Sequence, residues 1–172
     1  YLCFALRRWK GFEEKAPLFG AAAEYAYRTY GLTPVFVAVE KHLDPGAGQL
    51  AARGLTIPHY FLDDAGGAGT IIGALSRMQA VVSMRLHALI FAAGQGIPLA
   101  GVVYDPKVSA FLRYIGQEQF VDLAELTGQN LCAMMDQCVA QAAHPEAQAA
   151  AVRNLQAMEQ KNVEVARRLL KG

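Results

Sequence analysis

Ser83-Met84-Arg85-Leu86-His87 stands where a short apolar run, Ala80 to Ser83, gives way to a helical pattern beginning at Leu86. Such a junction presents open backbone N–H groups and the positive end of a helix dipole, a setting that favours an anion. Arg85 adds a permanent charge whose planar fork holds a carboxylate or phosphate through two bonds. His87, in the first helical turn, can donate a proton to a bound ligand or bond a phosphate oxygen. A bland reading uses the same residues: Ser83 as the helix N-cap, Arg85 as a surface cation and His87 as a packed core histidine. Spacing alone does not separate the two.

Tyr104-Asp105-Pro106-Lys107 repeats the arrangement after the next strand-like run. Asp105 as N-cap and Pro106 at the first helical position are explained by structure alone, which leaves Tyr104 and Lys107 to face the same crevice. The Tyr-x-x-Lys spacing is one residue short of the short-chain dehydrogenase pattern, so it does not point to hydride chemistry. Arg7, Arg8 and Lys10 follow the first strand and reach the same edge, either as ligand cations or as a solvated loop. Gly66-Gly67-Ala68-Gly69-Thr70 has the wrong spacing for a dinucleotide fingerprint or a P-loop and reads as a flexible turn, with Asp63-Asp64 capping the loop before the next helix. His42, His59 and His144 are isolated, and Cys3, Cys132 and Cys138 lack CxxC spacing, so neither a metal site nor a disulfide framework is expected. No cofactor is implied, and a reducing cytoplasm suits three such cysteines.

These residues need a scaffold that gathers strand ends. Tyr1–Leu6, Val35–Val39, Ile57–Leu62, Ala80–Ser83, Pro98–Tyr104 and Phe120–Val121 read as strands. Helices are expected over Pro17–Tyr30 (Pro17 in its first turn, Gly31 capping it), after Asp44-Pro45, and over Ile71–Arg77, Leu86–Ala93 and Lys107–Ile115. Leu86, Ile90 and Ala93 should face the core. The remainder is helical, and on the last helix, 145–172, Val152, Leu155, Met158, Val165 and Leu169 form an apolar stripe. Strands apolar on both faces, alternating with helices, predict an α/β fold: a doubly wound parallel sheet of five or six strands with helices on both faces, its ligand at the strands' C-terminal ends.

At 172 residues the chain fits one domain, 1–172. With 53% hydrophobic and 18% charged residues it is too apolar to stay disordered. Sixteen Lys plus Arg against fifteen Asp plus Glu leave +1, which argues against nucleic acid as a partner. The longest uncharged run, Ala88–Tyr104, is broken by Gly94, Gly96 and Pro98, so no transmembrane segment is expected. No signal peptide is read at the start, and opening inside a strand suggests a segment cut from a longer protein.

Met84 to Ala93 (Met-Arg-Leu-His-Ala-Leu-Ile-Phe-Ala-Ala), then Gly96-Ile97-Pro98, then Tyr104-Asp105-Pro106-Lys107-Val108 and Phe111 resemble the polysaccharide pyruvyl transferase family, in particular its CsaB-type bacterial cell-wall branch. Weaker similarity runs from Tyr1 to about Leu126. The resemblance implies the C-terminal, Rossmann-like half of a two-domain enzyme of GT-B-type architecture, with a missing N-terminal domain forming the other wall of the site. It implies phosphoenolpyruvate as donor substrate and a lipid-linked saccharide as acceptor, N-acetylmannosamine in that branch. The product is a cyclic ketal that retains S-layer proteins, made in the cytoplasm at the inner face of the membrane. Arg85, Leu86 and His87 fall on the family's donor-binding motif, with His87 the catalytic acid and Lys107 a further substrate-binding residue. Arg7 matches an Arg of the family's Ser-Leu-Arg-Pro-Trp run. Here that run is Ala5-Leu6-Arg7-Arg8-Trp9, which leaves open whether Arg7 or Arg8 faces the ligand. Ala38 and Glu40 depart from the family's Pro and Gln, whereas Asp44 keeps its place. The alternatives are the donor-binding domain of a nucleotide-sugar-dependent GT-B glycosyltransferase and a non-catalytic anion-binding module.

Overall fold

A computed structural model describes residues 1–64 and 66–171. Six strands, β1 (Leu2–Ala5), β2 (Pro34–Val37), β3 (Tyr60–Leu62), β4 (Ala80–Ser83), β5 (Leu99–Val103) and β6 (Phe120–Asp122), form one sheet in the order β3-β2-β1-β4-β5-β6. Every neighbouring pair is parallel. The helices are α1 (Phe12–Tyr30), α2 (Pro45–Ala51), α3 (Ala68–Leu75), α4 (Leu86–Gly94), α5 (Pro106–Tyr114), α6 (Gly128–Ala142) and α7 (Pro145–Lys171). No helix is long and apolar enough to cross a membrane among the described residues.

Strand alternation creates two cores. Leu2, Phe4 and Leu6 of the β1 segment, with Val82 and Val102, meet Phe12 and Phe19 of α1 and Leu131 and Met135 of α6. Cys3, Ala5, Val81 and Val103 point the other way, onto Ile71, Leu89, Val108 and Leu112 of α3, α4 and α5. Side chains pointing to both faces are therefore apolar, the property that limits this sheet type to interiors covered twice. Burial pushes the Cys3 thiol far above its usual range and the Cys138 thiol up to about 12.

Four expectations are revised. α1 starts at Phe12, five residues before Pro17, because the buried Phe12 ring fixes the first turn. Pro17 sits inside the helix, where it offers no N–H to the Glu13 carbonyl. β3 is shortened to Tyr60–Leu62: Pro58 has no amide hydrogen, and the His59 ring bonds the Ile57 carbonyl at 2.8 Å in a loop. Ile90 is 40% exposed, and Ala88, Leu89, Ala92 and Ala93 form the buried face of α4. The apolar stripe on α7 packs only through Val152, Leu155 and Met158, since the helix runs past the sheet and leaves Val165 and Leu169 exposed. Gly172 lies outside the described residues.

Candidate functional site

The strand order reverses between β1 and β4, and their C-terminal ends diverge there into a crevice. The loops after β2, β3 and β4 enclose a cleft of about 630 Å³ at this point. Behind its wall, where Arg85 lines it, lies a buried ion pair. Asp44, just before α2, accepts hydrogen bonds through Oδ2 from the backbone N–H groups of Val39 (3.0 Å) and Glu40 (2.8 Å). The same oxygen lies 3.3 Å from Arg85 Nε, with the Asp44 side chain fully buried and that of Arg85 11% exposed. Burial raises the Asp44 pKa, opposed first by the Glu40 N–H and then by the Arg85 charge.

Ser83 is not the N-cap of α4. Arg85 takes that position in extended conformation, and the buried Ser83 hydroxyl accepts the Arg85 N–H at 2.8 Å while lying 3.2 Å from the Ala5 carbonyl. This serine ties the ends of β1 and β4 together and fixes where Arg85 leaves the sheet. Arg85 is therefore no surface cation, and His87, exposed on the first turn of α4 and lining the cleft, is no core histidine. Arg85 Nη1 and Asp44 Oδ1 are buried without a hydrogen-bond partner among the described residues. Groups of this kind call for a partner, and an anion at the α4 N-terminus would supply one to Nη1.

Arg7 is half-buried and Arg8 exposed, and neither lines the cleft. Arg7 Nη1 donates to the Tyr104 hydroxyl at 3.4 Å, its guanidinium lies 5.3 Å from the Trp9 ring centroid, and its charge helps lower the Asp44 pKa. Arg8 pairs with Glu13 in the open. Leu86 is half-buried against the core under α4, so its side chain serves packing. Lys107 stands apart from the cleft, 54% exposed, with Nζ 3.5 Å from Asp105 Oδ2. Tyr104 is likewise outside the cleft, in a neighbouring recess. Asp105 caps α5 by accepting the Lys107 N–H.

Several cleft residues were not read as site residues from the sequence. Lys41 and His42 from the loop after β2 line it, as do Gly66 and Gly67 after β3 and Phe91 of α4. The glycines belong to the rim and lead directly into α3, where a flexible turn was expected. Gly66 and Gly67 adopt φ of 70° and 156°, conformations that only glycine takes without strain. Asp64 holds this rim: it accepts the Gly66 N–H at 3.0 Å and lies 3.6 Å from Lys41 Nζ, and both contacts keep its carboxyl below the usual range. The strand-end rule applied to β2 and β3 as well as to β1, β4 and β5 would have found them.

Buried Arg85, Lys41 and the α4 N-terminus can neutralise a small anion, and His87 can exchange a proton with it. The sequence model of one family, described as polysaccharide pyruvyl transferase, matches residues 16–106, more than half of the chain. The chain belongs to that family. Within the matched span lie Asp44, Arg85, Leu86 and His87, whereas Arg7 and Lys107 fall outside it. Two solved structures share the fold. One is the glycosyltransferase VinC in complex with DTDP, at 16% identity and a TM-score of 0.64, covering 99% of this chain and 42% of that one. The other is the glycotransferase of kitacinnamycin, at 15% identity and a TM-score of 0.60, covering 91% and 39%. This member of the pyruvyl transferase family thus spans about two-fifths of either neighbour and has the Rossmann-like α/β fold found in GT-B glycosyltransferases. No curated protein matches the chain.

Proposed function

We propose that the chain is the donor-binding half of a CsaB-type pyruvyl transferase, which moves pyruvate from phosphoenolpyruvate onto two hydroxyls of an N-acetylmannosamine in a lipid-linked cell-wall precursor. The observation that carries the reading is the Arg85 guanidinium: Asp44 holds its Nε, Nη1 is buried and unpartnered, and the open N-terminus of α4 begins beside it. Phosphoenolpyruvate carries a carboxylate and a phosphate on three carbons. A fixed fork with a helix N-terminus beside it suits one group, and Lys41 in the same cleft suits the other.

His87 then protonates the methylene carbon, which leaves an oxocarbenium-like centre at C2. One sugar hydroxyl adds to C2, and its proton restores His87. The second hydroxyl forms the other C–O bond as the bond from C2 to the phosphate oxygen breaks, and inorganic phosphate departs with the remaining proton. His42 and Glu40, in the same cleft, are further groups able to carry a proton. The acceptor's membrane anchor places the reaction at the inner face of the membrane, on the cytoplasmic side, with an N-terminal domain closing the cleft.

Calorimetric titration tests the donor. Phosphoenolpyruvate is expected to bind the wild type and not Arg85→Gln, while thymidine diphosphate binds neither. Binding of thymidine diphosphate in place of phosphoenolpyruvate would overturn the reading in favour of a nucleotide-sugar-dependent glycosyltransferase.

A further inference from the structure

A second recess, of about 830 Å³, opens beside Arg7 between the loops after β1 and β5 and the segment after β6. Trp9, 45% exposed, and Tyr104 form its aromatic wall, with ring centroids 4.8 Å apart and planes tilted by 53°. Glu14, Asp105, Asp122 and Glu125 bring four carboxylates to the lining, against Lys10 and Lys15. Lys15 donates to the Leu126 carbonyl at 2.8 Å and keeps its charge, and Asp105 is already held by Lys107. Glu14, Asp122 and Glu125 against Lys10 and Lys15 leave the recess slightly acidic, in contrast to the cleft around Arg85.

We propose that this recess binds a saccharide, with a pyranose ring against Trp9 and sugar hydroxyls donating to the carboxylates. An exposed indole offers a flat apolar face with a polar edge, which suits a ring whose C–H groups gather on one side. Hydrogen bonds from hydroxyls to ionised carboxylates are charge-assisted and favour a ligand rich in donors. The same carboxylates repel phosphate groups, so phosphoenolpyruvate and nucleotides are directed elsewhere. Arg7 is the partition: its guanidinium lies 5.3 Å from the Trp9 centroid and 5.7 Å from that of Tyr104, and its charge also reaches Asp44 beside Arg85. A sugar in the recess is thus next to the anion cleft. Calling that sugar the acceptor rests on the pyruvyl transfer reading; its binding does not.

Trp9 is the only tryptophan of the chain, so intrinsic fluorescence reports on this wall. Methyl N-acetyl-β-D-mannosaminide is expected to change the emission saturably in the millimolar range, and the doubly neutralised variant Glu14→Gln/Asp122→Asn to weaken that response about fivefold or more. Thymidine diphosphate should leave the emission unchanged. The proposal is overturned by a flat response to the sugar, by a response undiminished in the variant, or by tighter binding of thymidine diphosphate at Trp9. If the variant does not melt cooperatively, saturation transfer from the indole protons to the sugar ring in the wild type replaces it, and absence of transfer overturns the proposal equally. Calorimetry with phosphoenolpyruvate on the same sample separates the two readings. Donor binding with a silent Trp9 removes only the recess, and sugar binding without donor binding removes only pyruvyl transfer.

Discussion

Arg85–Asp44 and Arg8–Glu13 are both ion pairs at the C-terminal edge of the sheet, yet their surroundings differ completely. The first joins a fully buried carboxylate to a guanidinium that is 11% exposed, whereas the partners of the second are 58% and 63% exposed. Desolvating two charges costs several kcal/mol, roughly offset by their attraction, so the inner pair adds little net stability while both partners are present. Once one partner is removed, the other is left largely buried without its counter-charge. The outer pair faces no such penalty. Placement decides whether an arginine can be lost quietly, and here it also decides which arginine is held in one orientation.

The largest effect is expected from Arg85→Ala. It should abolish donor binding and lower stability by about 3–5 kcal/mol, the usual outcome of breaking a buried pair. Calorimetry and urea unfolding on one preparation check both, and an unchanged unfolding midpoint would equate this pair with the outer one. His87→Gln comes next. In the intact enzyme it should lower the rate at saturating donor by about 10²- to 10⁴-fold while the melting temperature stays put, because the ring is exposed. A wild-type maximal rate would exclude the acid role.

Asp44→Asn sharpens the comparison through pH. Burial raises the folded-state pKa of Asp44, so the folded chain holds this proton more tightly than the unfolded chain. Its contribution to stability is then greatest below the ordinary carboxylate value and falls as pH rises through that value towards the raised one. Unfolding measured between pH 7 and pH 4 should show the wild type gaining on the Asn variant as the solution is acidified. The opposite slope would mean that Arg85 and the two N–H donors outweigh desolvation. The smallest effect belongs to Arg8→Ala, which should change stability by no more than about 0.5 kcal/mol, with donor affinity unaltered.

What the sequence made legible follows the range of the interactions involved. β4 was placed to the residue, because a short apolar run between polar neighbours has a single way to lie in a parallel sheet. Arg85 and His87 were legible as a strand-to-helix junction, since that motif is local. The partner of Arg85 was not, because Asp44 reaches it only after the crossover from β2 to β4 is built. Helix α1 was mistaken at its start for a similar reason: Pro17 is a strong local signal, and the packing of Phe12 that overrides it is long-range. Lys107 showed the reverse error. Its register suggested the crevice, but the Asp105 carboxylate beside it draws the ammonium outward. On α7 the heptad-like stripe was real, but nothing in periodicity tells where a neighbouring surface ends.

The strand order also bears on how the protein is made. β1 is the first strand of this sheet to be synthesised, yet it lies at the middle of the sheet, and one of its two partners, β4, is paired with it at Ala5 and Ser83, 78 residues apart. At about 5–20 residues per second, the ribosome needs roughly 4–16 s to deliver that second partner. During this interval β1 can pair on one edge only, with β2, and the backbone N–H and C=O groups of Leu2 to Ala5 on its other edge stay open to any strand that passes. The nascent chain therefore carries an unpaired strand edge for seconds, and a slower codon run ahead of Ala80 would lengthen its exposure to misassembly.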